Sequence, residues 1–204
     1  MKITLTFSEP GYIANPYRPE LYKLIEIQKI SGTKRVRSEK KRRETLESYL
    51  RDIGMTFDDY IALEKAAKEP FWKNEKGKII IPSTSVYACL VNANDEAPSR
   101  LRIQNLRSAL KISDFVTEKD KPDGIWSRFV VLKSGAQKLS NQRLLAESHY
   151  IKNFNAIGTI EHDKEMVEEK AIVDLLTFAG RQVGIGSARK MNYGRFAVKS
   201  SEKM

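Results

Sequence analysis

Between residues 181 and 195 the chain reads Arg-Gln-Val-Gly-Ile-Gly-Ser-Ala-Arg-Lys-Met-Asn-Tyr-Gly-Arg. Four cations, Arg181, Arg189, Lys190 and Arg195, are interleaved with Gly184, Gly186 and Gly194. Cations neutralise phosphates, and glycine takes positive φ and lets another backbone come close. Such a run is chemically suited to lie along a nucleic-acid backbone. It is not a P-loop, because no Gly-Lys-Ser/Thr follows at the required spacing. It is not a dinucleotide fingerprint either, because it leaves a helix pattern and enters a strand pattern rather than the reverse. The same residues would also serve an ordinary helix-to-strand connection with surface charge. Tyr193 has two open readings, a base-stacking aromatic or a core aromatic on a sheet face.

A second block of charge runs from Lys34 to Arg51, with eight basic and three acidic residues. Its cations include Lys34, Arg35, Arg37, Lys40, Lys41, Arg42 and Arg43. The segment from Arg181 to Lys199 holds five basic residues and no acid. Each block carries a net +5, so together they account for the whole formal charge of +10. An even excess would speak only for solubility, whereas concentrated blocks fit a phosphate footprint. The Lys34–Arg51 block also reads as a solvated helix face. Arg100, Arg102, Arg107 and Lys111 form a third basic segment without an acid.

Acid–base chemistry has fewer candidates. His149, beside Tyr150, could take part in proton transfer, or be a strand-end histidine. His162-Asp163 reads as turn and cap chemistry. The acidic pairs at 58–59, 95–96 and 168–169 are sequence neighbours, which do not face each other on a helix. No zinc-ligand spacing or nucleophile elbow is present, and Cys89 is the only cysteine. The expectation is no metal, no cofactor and no catalytic residue.

These residues must be held by a fold, and the periodicities outline it. Ile3, Leu5 and Phe7 alternate with Lys2, Thr4 and Thr6 as in a half-buried strand. A loop with Pro10, Gly11, Pro16 and Pro19 follows. Helical spacing covers 38–53 and ends at Gly54. Thr56 caps a second helix that Pro70 stops. Residues 78–82 are extended, and Ser83 or Ser85 opens a helix with Val86, Leu90 and Ala93 on one face. Residues 100–111 read as helix or as loop and turn. Strands are expected at 125–133 and 148–161, a helix at 165–179, and a last strand at 196–198. With the two helices after the first strand and the ambiguous segment 100–111 set aside, the order is strand, helix, strand, strand, helix, strand. That order implies an α+β fold of the ferredoxin-like kind. The expected organisation is a first strand and loop at 1–33, a basic helical insertion at 34–76, and the rest of the domain at 77–204. Phe71-Trp72, after Pro70, reads as an aromatic edge suited to an interface.

Two stretches resemble a known family. Gly184-Ile-Gly-Ser-Ala-Arg-Lys-Met-Asn-Tyr-Gly-Arg-Phe-Ala-Val looks like the glycine-rich loop and last strand of the CRISPR-associated RAMP superfamily. Ile79-Ile-Ile-Pro-Ser-Thr-Ser-Val-Tyr-Ala-Cys-Leu resembles the entry to the first helix of the same proteins. The similarity covers Met1–Phe7 and roughly 77–199. It departs where the family often has glycine after the proline and a base a few residues on; here stand Ser83 and Val86 or Tyr87. The resemblance implies an RRM-like, ferredoxin-like domain that binds single-stranded or guide RNA. It also implies a homo-oligomer or a subunit of a larger ribonucleoprotein. Arg181, Gly184, Gly186, Arg189, Lys190, Gly194 and Arg195 would be the RNA contacts, with Tyr193 as a stacking partner. Two alternatives stay open: an RNA-processing endonuclease with His149 as base, and an interaction protein, such as a viral mimic, that does not use RNA. Hydrophobic residues make up 41% of the chain, and no apolar run approaches the roughly 20 residues of a membrane span. With no signal-peptide pattern at Met1, a cytoplasmic protein without membrane contact is expected.

Overall fold

The computed structural model describes residues 1–14, 19–30, 38–132 and 142–202. The chain divides into two compact units, Met1–Ala14 with Phe71–Met204, and Asn15–Pro70. The architecture is α+β with an antiparallel main sheet.

The larger unit is built on β1 (Lys2–Phe7), which lies between β8 (Phe154–His162) and β9 (Ala197–Glu202). Beyond β8 come β5 (Phe115–Thr117), β3 (Ile79–Ile81) and β2 (Trp72–Lys73), all pairing antiparallel. A further short strand, β4 (Leu110–Ile112), pairs with the far end of β8. β4 and β5 are two halves of one bent strand along β8. Between them the Ser113 N–H donates to the Thr159 carbonyl, and the Thr159 N–H donates to Ser113 Oγ.

Alternation in β1 puts Ile3, Leu5 and Phe7 inside, as the sequence period requires. They share a core with Val86, Cys89, Leu90 and Ala93 of α4 (Ser83–Glu96) and with Ile172, Leu175 and Leu176 of α6 (Glu169–Phe178). The opposite sheet face is open at Val116 and Ile157, which are 39% and 43% exposed. The core side chain of Phe115 rests on Gly158, where a Cβ would overlap its ring.

Several expected elements fall elsewhere. The strand expected at 148–161 is two strands in different sheets. The chain leaves β7 (Gln142–Tyr150), bridges Ile151 to Tyr12, turns through Asn153 at φ 49°, and only then enters β8. The strand expected at 125–133, β6 (Gly124–Leu132), does not join the main sheet; it pairs with β7 as a separate two-stranded ribbon. Both edges of β8 are already taken, by β1 on one side and by β4 and β5 on the other. The strand paired with β8 therefore comes from the ambiguous segment 100–111 and its continuation. That segment holds a 3-10 turn (Ser99–Leu101), the four-residue α5 (Leu106–Ala109) and β4. The α4 cap also differs. Neither Ser83 nor Ser85 caps it, and the Ser83 N–H donates instead to Asp114 Oδ1 at 2.7 Å. Phe71 is not an edge aromatic: it is 1% exposed, with its ring against Tyr12.

Among the described residues the smaller unit has three helices where the sequence suggests two. They are α1 (Pro19–Ile30), α2 (Glu39–Asp52) and α3 (Phe57–Lys68). The prolines before α1 hid it, although proline at the first helical position is favourable. The insertion thus begins about twenty residues earlier than the sequence indicates and ends at Pro70. Leu24, Ile27, Leu46, Leu50 and Tyr60 form its own core. Thr56 and Asp59 make the expected cap reciprocally: the Asp59 N–H donates to Thr56 Oγ1, and the Thr56 N–H donates to Asp59 Oδ2.

Because the two cores are distinct, damage to one should stay local. Leu50→Ala removes a side chain that is 1% exposed and should cost about 2–5 kcal/mol within the helical unit. Hydrogen exchange should then rise in α1, α2 and α3 and stay unchanged in β1 and β8. Equal rises in both units would contradict separate cores.

Candidate nucleic-acid interface

The glycine-rich run follows α6 through a π-helical turn (Ala179–Val183), as the helix-to-strand reading requires. It then forms an arch closed on itself and on the N-terminal segment. The Ile185 N–H donates to the Gly194 carbonyl, and the Gly194 N–H donates to the Gly11 carbonyl. The Ser187 N–H donates to the Ile13 carbonyl.

Two glycines are needed for this closure. Gly194 has φ 75°, and a Cβ there would overlap the Ile185 carbonyl. Gly186 has φ 84°, and a Cβ there would overlap the Ile13 carbonyl and crowd the Tyr12 ring. Their freedom is thus used by the protein's own backbone, not held open for a ligand backbone. Gly184 lies in the same closure, with its N–H on the Ala179 carbonyl. The N–H groups of Met191 and Asn192 are also paired within the arch. What the arch presents outward is therefore chiefly side chains.

Those side chains are cations. Arg181, Arg189 and Lys190 are exposed and have no hydrogen-bond or ion-pair partner among the described residues. Arg195 is half-buried, and its Nη1 is sealed from solvent without a hydrogen-bond partner. Leaving such a donor unsatisfied costs about 1–3 kcal/mol, and more when it carries charge. Arg189 and Arg195 both lie near Cys89 of α4. Burial pushes that thiol up to about 12 while the two guanidinium groups pull it down. The thiol is therefore protonated at neutral pH and is no nucleophile.

Tyr193 has a different place from the stacking role. It is 8% exposed, with its ring 5.3 Å from Trp126 and 6.4 Å from Tyr150 at the base of the ribbon. Desolvation, with a smaller contribution from Tyr150, raises its phenol pKa. Tyr193 joins arch to ribbon, with little of its ring left exposed. Trp126 in turn carries Arg128 stacked at 5.3 Å. The two Tyr193 contacts escape sequence reasoning because Trp126 and Tyr150 lie more than 40 residues away in the chain.

The ribbon base is pinned by Asp123. Its carboxylate accepts from Lys119 Nζ at 2.8 Å and from the Lys152 N–H at 2.7 Å. Burial raises its pKa, but these bonds and the two lysine charges outweigh that, so the net shift is downward.

The first basic block belongs to the other unit. Lys34, Arg35 and Arg37 lie outside the described residues. Lys40, Lys41, Arg42 and Arg43 are exposed on α2. Arg43 pairs with Glu47 at 2.8 Å and lies over the Phe57 ring, so it is partly spent within the helix pair. Of the third basic segment, Arg102 donates to the Ala97 and Asp95 carbonyls at the end of α4, and Lys111 pairs with Glu161. Arg100 has no partner among the described residues.

The candidate catalytic pair does not converge. His149 and Tyr150 are neighbours on β7, and neighbours on a strand point to opposite faces. Among the described residues no three His, Cys, Asp or Glu side chains gather as metal ligands would. No helix among the described residues is long and apolar enough to cross a membrane. No protein-family model matches the chain, and no curated protein matches it.

Gly194→Val should destabilise the larger unit by several kcal/mol, since backbone must move and a β-branched residue resists positive φ. Gly77→Ala, at φ 74° but with nothing nearby, should cost only about 1 kcal/mol from the backbone conformation. Thermal melts of both variants test this; equal losses would mean that the close approach in the arch is unimportant.

Acid should loosen the ribbon base. The folded Asp123 carboxyl titrates below its unfolded value of about 4, so its contribution is complete above that value and is lost as pH falls through the folded one. Amide exchange at Lys152 should quicken below about pH 4 relative to the core of β8, and Asp123→Asn should remove that pH dependence.

Proposed function

We propose that this protein binds the backbone of single-stranded RNA through the arch, as a RAMP-like subunit of a ribonucleoprotein. The observation that carries the reading is Arg195: a half-buried guanidinium, with one nitrogen sealed and unpaired, beside the partnerless Arg189 and Lys190. Ion pairing among the described residues does not account for these three cations. A phosphate would supply the missing acceptor through charge-assisted bonds, and drawing the guanidinium outward relieves its desolvation. With the amides of Gly184, Ile185, Ser187, Met191, Asn192 and Gly194 engaged internally, recognition rests chiefly on charge, which positions a strand without reading its bases.

The strand order supports a ferredoxin-like reading. β1 lies between the third and fourth strands of that scheme, β8 and β9, while β5 and β4 take the place of the second. The helices preceding β5 and β9, α4 and α6, share one core with the sheet. In such a split arrangement each crossover skips one strand, as α4 does over β8 and α6 over β1. The glycine arch then connects the second helix to the fourth strand, where the resembling motif places it. Membership of a guide-RNA assembly, with copies arrayed along RNA, rests on that resemblance alone.

Arg195→Met is the discriminating variant. It removes an unsatisfied buried charge and keeps much of the volume, so the melting temperature should hold or rise while RNA affinity falls at least tenfold. Loss of stability with unchanged affinity would assign Arg195 to the fold and sink the proposal. Removing Arg189 and Lys190 together should flatten the salt dependence by about 1.4, from about 0.7 per phosphate contact on single strands. Filter binding of a 30-nucleotide RNA across a salt series, on the order of the length needed to span several sites, reads both effects.

A further inference from the structure

Two arginines without a partner among the described residues, one from each of two separate basic segments, line one groove beside the π-helical turn that opens the arch. Arg100 stands on the 3-10 turn before α5, and Arg181 on the π-helical turn after α6. Together with Leu101, Asp174, Thr177 and Phe178 they line an open groove of about 570 Å³. Leu101 and Phe178 are half-buried against the main core and give the groove an apolar floor. Asp174, Phe178 and Arg181 follow helical spacing and share one flank of α6 and its extension. Neither arginine has a hydrogen-bond or ion-pair partner among the described residues, so both guanidinium forks are available.

We infer that this groove binds a nucleotide, with Arg100 and Arg181 on the phosphate, Phe178 under the base, and Asp174 accepting from an amino group of the base. Its volume lies within the range of about 300–1,000 Å³ usual for small-ligand sites. Guanidinium forks match phosphate oxygens in pairs. The carboxylate of Asp174 favours a nucleotide over an acidic peptide. It repels carboxylates, but it accepts from the amino groups of guanine, adenine or cytosine and finds no amino group on uracil. The carbonyl end of α6 opposes an anion by roughly half a charge, less than the two guanidinium charges supply. The Ala179 and Gly180 carbonyls there already accept from the Gly184 and Phe196 N–H groups.

The inference extends the RNA reading by adding a base-sensing site, and the two can be tested apart. The full chain is titrated calorimetrically with guanosine, cytidine and uridine 5′-monophosphates and with ribose 5-phosphate. Guanosine and cytidine monophosphates should bind several-fold more tightly than the uridine nucleotide. Arg100→Ser and Arg181→Ser should each weaken binding about tenfold, the scale of a hydrogen bond to a charged group. Asp174→Ala should abolish the preference over uridine while leaving uridine nucleotide binding no weaker. Arg195→Met should leave mononucleotide binding intact, so failure of the arch reading would not imitate failure here. A single-stranded decanucleotide that displaces guanosine monophosphate identifies the occupant as a strand nucleotide; failure to displace it identifies a free nucleotide. The inference is overturned if no nucleotide binds at millimolar concentration, if Arg100→Ser changes nothing, or if ribose 5-phosphate binds as tightly as guanosine monophosphate.

Discussion

The larger unit depends on a backbone clasp around residues 11–13. On one side Tyr12 exchanges two hydrogen bonds with Ile151, between ribbon and sheet. On the other, the Gly11 and Ile13 carbonyls accept from the arch at Gly194 and Ser187. Three segments distant in sequence are thereby fixed against one another just beyond the end of β1. The clasp closes only where side chains are missing, because Ile185 and Ile13 carbonyls occupy the space of a Cβ at Gly194 and Gly186. Glycine here has an entropic cost in the unfolded chain, offset by the burial of Tyr12 and Ile185 that closure permits.

This closure has an electrostatic consequence. It engages part of the arch's hydrogen-bonding backbone, while Arg189, Lys190 and Arg195 are left without an ion-pair partner among the described residues. It also holds Arg195 half out of water, with its Nη1 sealed and without a hydrogen-bond partner among the described residues. A protein selected only for stability would gain by replacing that residue with an apolar one. A guanidinium held half out of water has already undergone part of the desolvation that pairing with an anion entails.

Much of the fold was legible because it depends on local pattern. Alternation over Lys2–Phe7, the apolar stripe of α6 and the Thr56 cap each need only neighbouring residues to be read. The π-helical turn and the internal use of the glycines were not legible. The three positive φ values follow from residue type, but which backbone fills the vacated space is a long-range fact. Tyr193 illustrates the same limit, since nothing in its neighbours distinguishes a stacking platform from a post under a ribbon.

The sequence by itself determined the charge, its concentration into separate blocks, and the order of most helices and strands. These follow from residue identity and from periods of two or 3.6. Only the tertiary structure decided which strand-like segment entered the sheet. β6 is the more apolar by sequence, yet Leu110–Thr117 takes the edge of β8 and leaves β6 to pair with β7. It also decided which cations stay available. Arg102 bonds carbonyls at the end of α4, whereas Arg100, two residues before it, has no partner among the described residues and lines a groove with Arg181. A guanidinium is committed or left available by what lies within about 3 Å of it, and those neighbours come from parts of the chain that no local pattern connects.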